Sequence, residues 1–187
     1  MLNQDSYKQH ISAQFNAELE AVKNHLLEMG GLVEQQISRA VESLLNRDSG
    51  LAEEVVAGDE EVNDMEISID EECFRILARR QPAASDLRLV LAISKVTTDL
   101  ERIGDEASKI ARQAVKASEE PASSGGGFVE IRHISNHVGE MLRHALDAFA
   151  RLDVDMAVDT VIADRSVDAE YATAMRSLVT FMMEDPR

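Results

Sequence analysis

Leu89-Val90-Leu91-Ala92-Ile93-Ser94-Lys95-Val96-Thr97-Thr98-Asp99-Leu100-Glu101-Arg102-Ile103-Gly104-Asp105-Glu106-Ala107-Ser108-Lys109-Ile110-Ala111-Arg112-Gln113-Ala114 decides the fold. Within it Leu89, Ile93, Val96, Leu100, Ile103, Ala107, Ile110 and Ala114 recur at alternating spacings of four and three, the seam of a helix packed in a bundle. Glu101 and Asp105 lie one turn apart beside that seam, on a stripe shared with Ser94, Thr97, Ser108 and Arg112. Stacked carboxylates repel, and a cation between them reverses the sign of that interaction, because hard cations take several carboxylate oxygens. Gly104 costs about 1 kcal/mol of helix propensity against Ala, yet it lets another backbone or a cluster come close. The run is a packing element and a candidate metal face at once. Its spacing alone is weak, since 35 acids among 187 residues give about six such pairs by chance. A solvated, salt-bridged helix face is the better account of any single pair.

Outward from this stretch the same helical pattern continues. Apolar residues recur from about Tyr7 to Leu45, with Gly30 and Gly31 as a soft or kinked point. Asn46 to Gly50 carries turn and cap residues, and Val55, Val62, Ile69 and Ile76 then fall seven apart in a second helix that runs through Arg80. Gln81-Pro82 closes it, and Ser85 or Asp86 can cap a third helix to about Ser118. Residues 1–118 are therefore predicted as a first three-helix bundle, 119–127 as a Pro/Ser/Gly linker, and 128–187 as a second unit.

That second unit repeats the first. A shift of 105 places Val138 on Val33, Ala145 on Ala40, Asp153 on Asp48, Ala157 on Ala52, Val161 on Val56, Asp164 on Asp59 and Val167 on Val62. Ile134, Val138, Ala145, Phe149 and Leu152 form the apolar face of its first helix, and a second pattern runs from Met156 to Met183. Pro186 falls within one residue of the match to Pro82, so the last helix of the second bundle is expected to be lacking. A two-helix hairpin leaves an apolar face open, to be completed by further chain or by another subunit.

Composition narrows the functional classes. Aromatics are 4%, Trp is absent and 44% of residues are hydrophobic, which suits helix-on-helix packing. A net charge of −16 opposes nucleic acid and anionic membranes and favours cations or proteins as partners. No apolar run approaches the roughly 20 residues needed to span a bilayer, and Met1 to His10 is too polar for a signal peptide, so a cytoplasmic location is expected. The single cysteine, Cys73, reads as a small core residue.

Asp59 occupies a seam-flanking position where an apolar residue is expected, and Asp164 recurs at the same place in the repeat. Burying a carboxylate is costly without a partner. Asp59 could face the Glu101 and Asp105 stripe as a third carboxylate, or it could meet an Arg, a Lys or a helix end. His133, His137 and His144 make a partial histidine stripe that reads as surface, while Glu130 and His133 supply only one of the two Glu-x-x-His pairs a di-iron bundle needs. No phosphate loop, serine elbow, zinc pattern or nucleophile–base pair occurs, and a non-enzyme is expected.

Arg80-Gln81-Pro82-Ala83-Ala84-Ser85-Asp86-Leu87-Arg88 followed by Thr98-Asp99-Leu100-Glu101-Arg102-Ile103-Gly104-Asp105 closely resembles the PhoU family of bacterial phosphate-signalling proteins, and the resemblance extends over essentially the whole chain. It implies an all-α fold of tandem three-helix bundles. It further implies an Asp/Glu-x-x-x-Asp motif in each bundle, matched here by Glu101 and Asp105, with iron or other divalent metal ions on the acidic faces. Asp59, Asp99 and Asp164 join these as expected metal positions. A cytoplasmic adaptor, commonly a homodimer, is implied: one that represses the phosphate-starvation response by linking the phosphate transporter's ATPase subunit to a sensor histidine kinase, and that reaches the membrane through protein partners. The alternative on the residues alone is a carboxylate-bridged metalloprotein or metalloenzyme.

Overall fold

The computed structural model describes residues 4–82, 84–119 and 128–184. They form α1 (Gln4–Asn46), α2 (Ser49–Arg80), α3 (Ala84–Glu119), α4 (Phe128–Arg151) and α5 (Val154–Glu184), with no strand among the described residues. The all-α class is the one the spacing predicts. Most of the expected linker, 120–127, lies outside the described residues, as does Pro186.

Helix α1 runs unbroken for 43 residues through Gly30 and Gly31. Two glycines cost about 2 kcal/mol of propensity, but Met29 and Val33 on either side are fully buried. Packing outweighs the local preference.

The α1–α2 turn is rebuilt, bond for bond, between α4 and α5. Asp48 Oδ1 accepts from the Leu51 amide at 3.0 Å, and Asp153 Oδ1 accepts from the Met156 amide at 3.0 Å. The Asp48 and Asp153 amides each donate at 2.9 Å, to the Ser43 and Ala148 carbonyls. Arg47 and Leu152 both adopt left-handed φ, 57° and 55°. Every pair is 105 residues apart, so the sequence repeat is also a repeat of geometry.

The described chain divides into two compact units, one of residues 1–32 and 60–103, the other of 33–59 and 104–187. The first has an aliphatic interior: Val22, Leu26 and Met29 of α1, Val62, Ile69, Cys73 and Ile76 of α2, and Val90, Ile93 and Leu100 of α3. Its helices are tied by Arg80 to Glu18, His25 to Glu72, and Ser94 to Asp70, the last at 2.6 Å. Burial pushes the Cys73 thiol up to about 11, so this cysteine is a packed core residue and no nucleophile.

The second unit has a different interior. Ala40, Ala52, Val55, Ala107, Ala111 and Ala114 form one buried cluster, edged by Ile37, Val56 and Ile110. Against α4 and α5 the burial thins out: Ala148 is their one fully buried apolar side chain among the described residues, while Val154, Val161, Tyr171 and Val179 are exposed. The hairpin leaves an open apolar groove of about 500 Å³ lined by Ile37, Ile110, Ile134, Val138, Met175 and Leu178. In the expected α4 face Ile134, Val138 and Phe149 are half-buried, but Ala145 and Leu152 are exposed, Leu152 because it forms the turn.

Candidate functional site

Helix α3 buries a stripe shifted from the predicted seam. Ile93, Leu100, Ala107 and Ala114 are buried as expected, whereas Leu89, Val96, Ile103 and Ile110 lie at the edge. Thr97, Gly104, Ser108 and Ala111 are buried instead. Small side chains let a neighbouring helix come close, so the buried face takes in this flank together with Val90, Ile93 and Leu100. Glu101 and Asp105 consequently sit half-buried one turn apart, and Asp99 is exposed.

Asp59 is the most deeply placed acid among the described residues, 9% exposed. Its Oδ2 is 4.0 Å from Arg112 Nη2, and its Oδ1 is buried with no hydrogen-bond donor. Gln36, 5% exposed, donates from Nε2 to the Gly58 carbonyl at 2.9 Å and leaves its Oε1 buried and unpartnered. Ser108, 1% exposed and one turn before Arg112 on α3, leaves its Oγ in the same condition. Three helices of the second unit thus each carry a buried oxygen without a partner. Such oxygens are costly to leave unsatisfied.

Their chemistry fits a hard cation in kind: a carboxylate, a carboxamide oxygen and a hydroxyl, with no nitrogen or sulfur. It differs from the face expected of three carboxylates. No group of three or more His, Cys, Asp or Glu able to hold a metal forms among the described residues. Asp99 and Glu101 belong to the first unit, Asp59, Asp105 and Asp164 to the second, and Asp164 is exposed. Gln36 and Ser108 were the residues that acid spacing missed. Gln36 does carry a signal, because it interrupts the seam between Val33 and Ala40.

The histidine stripe resolves into separate contacts. His137 Nδ1 lies 2.9 Å from Glu170 Oε2, His133 packs edge-on to His137 at 6.5 Å, and His144 is exposed.

Comparison with known proteins decides the lineage. The PhoU domain matches residues 26–114 and again 131–187, two matches that begin 105 residues apart. The chain belongs to the PhoU family. The Pseudomonas aeruginosa PhoU homolog, named a phosphate-specific transport system accessory protein, is 60% identical over 187 residues, covering 100% of this chain and 77% of that protein. Its Escherichia coli counterpart of the same description is 50% identical over 178 residues, 95% of this chain and 73% of that protein. Among solved structures, PhoU from Pseudomonas aeruginosa superimposes with a TM-score of 0.88 at 61% identity, covering 92% of this chain and 82% of the other. The phosphate transport system regulatory protein PhoU from Streptococcus pneumoniae gives 0.83 at 27% identity over 91% and 80%. These PhoU relatives are named as accessory or regulatory proteins rather than enzymes, in agreement with the non-enzyme expected from the motifs.

Proposed function

We propose that this chain is a regulatory adaptor of phosphate-specific transport, one that represses the phosphate-starvation response by joining the transporter's ATPase subunit to a sensor histidine kinase. The observation that carries this reading is 60% identity, across all 187 residues, to a protein named as an accessory of that transport system. A helical scaffold with no nucleophile–base pair in its sequence suits a role exercised through contact. No helix of the described residues is long and apolar enough to cross a membrane; attachment at the cytoplasmic face would come through protein partners, and the family resemblance supports a homodimer as the working form. A pull-down using the chain with purified ATPase subunit and kinase tests the reading. Retention of both is the expected result, and retention of neither overturns it.

Divalent or iron-type ions belong to the same proposal. Asp59, whose buried Oδ1 lacks a donor, would hold one ion inside the second unit, with neutral oxygens and water completing the shell. Glu101 and Asp105, flanked by Asp99, would hold others at the surface of α3, and Asp164 repeats the Asp59 position in α5. Calorimetric titration with Mn²⁺ is expected to lose one site in Asp59→Asn and another in Glu101→Gln/Asp105→Asn. Binding unchanged in both variants removes these residues from the assignment.

A further inference from the structure

The end of the first unit where α2 gives way to α3 inverts the charge of the chain. From Phe74 to Lys95 there are five cations, Arg75, Arg79, Arg80, Arg88 and Lys95, against one acid, Asp86, in a chain of net −16. The field is felt locally: the Glu18 carboxyl is held below its usual value first by the hydrogen bond from Arg80, with Arg79 and Arg75 adding to it. Arg80 is engaged with Glu18, whereas Arg75, Arg79, Arg88 and Lys95 project as exposed side chains.

An apolar strip lies among these cations. Ser94 Oγ donates to Asp70 Oδ1 at 2.6 Å, and Cys73 Sγ approaches the Val90 carbonyl at 3.8 Å, which sets α2 and α3 antiparallel with 70 opposite 94 and 73 opposite 90. Ile67 and Phe74 share the flank of α2 marked by Asp70, at spacings of three and four. Leu87 and Leu91 share the flank of α3 marked by Ser94. All four are exposed, Phe74 by 67%. One residue further out on each helix stand Arg75 on one side and Arg88 and Lys95 on the other, with exposed Glu71 and half-buried Glu66 and Asp70 as the acids at the Ile67 end. An exposed aromatic centred in an aliphatic strip and rimmed by arginines has the composition of a protein interface core and rim.

We propose that this α2/α3 strip is a docking surface for an acidic amphipathic segment of a partner protein, whose apolar side chains lie on Phe74 and Leu91 and whose carboxylates meet Arg75, Arg88 and Lys95. Charge complementarity selects the occupant. A chain of −16 is repelled as a whole by an anionic bilayer, while a discrete acidic segment needs only the local field within a screening length of about 8 Å. The inference adds a surface to the adaptor reading and holds for any protein partner, so the pull-down above and the test below can fail separately.

The test places a benzophenone photocrosslinker at Phe74, and in a second variant at exposed Glu53 as a control, in the whole chain expressed in cells. Irradiation is expected to join position 74 to protein segments that combine apolar residues with net negative charge. The charge reversal Arg75→Glu/Arg88→Glu/Lys95→Glu should lower that yield at least fivefold, and Arg75→Lys/Arg88→Lys should retain it. Adducts with lipid, with a second copy of this chain or with neutral or basic segments overturn the proposal. So does the absence of adducts beyond the Glu53 control, or a yield indifferent to the reversal.

Discussion

Glu18 is held ionised by Arg80, whose Nε donates to Glu18 Oε2 at 2.8 Å. Its carboxyl lies below the ordinary value of 4.5, chiefly through that hydrogen bond. A carboxyl depressed in the fold stabilises the protein at pH above its unfolded value and loses that contribution as pH falls through the folded value. Thermal midpoints of the native chain and Glu18→Gln should therefore differ most near neutral pH and converge well below 4.5. Equal separation at pH 7 and pH 3 would contradict this. Residue identity was legible unevenly. Val55, Val62, Ile69 and Ile76 are all buried as a seven-residue period requires, and Asp59 stood out as an acid at an apolar position. Ser108 did not, because a serine among alanines disturbs no hydropathy pattern, and whether its hydroxyl finds a partner depends on the neighbouring helices.

The elements show why a repeat is the most readable feature of such a chain. Asp48 and Asp153 cap their helices through the same amide, three residues on, and that chemistry is local in sequence. Asp153→Ala should cost about 1 kcal/mol. Leu152→Gly should instead stabilise, by about 0.5–1 kcal/mol, since a left-handed φ of 55° strains any side chain and glycine returns only part of the gain as unfolded-state entropy. Arg47→Gly gains less because the Arg47 guanidinium also donates to the Ala117 carbonyl. Midpoints of thermal unfolding, with hydrogen exchange along α4 and α5, check the set; destabilisation by Leu152→Gly would contradict it. The boundaries of all five helices could be read from caps and periodicity. The rotation of α3 could not, because which flank goes deepest depends on how closely its neighbours approach.

In the whole molecule, two units that divide the three long helices between them, the second also holding α4 and α5, have unlike interiors. Leu26, Met29, Ile69, Ile93 and Leu100 fill the first, and alanines fill much of the second. The two should respond oppositely to substitution. Leu26→Ala or Ile69→Ala in the first should cost about 2–5 kcal/mol, whereas the second should yield most to enlargement, with Ala111→Leu costing about 1–3 kcal/mol or more. Denaturant unfolding of these variants measures both. Alanine has no rotamers through which a packed contact can relax. A displacement imposed on α3 near Ala107 therefore finds no compliant side chain to absorb it, and the second unit should behave as a stiff mechanical coupling, handing motion from one helix to the next.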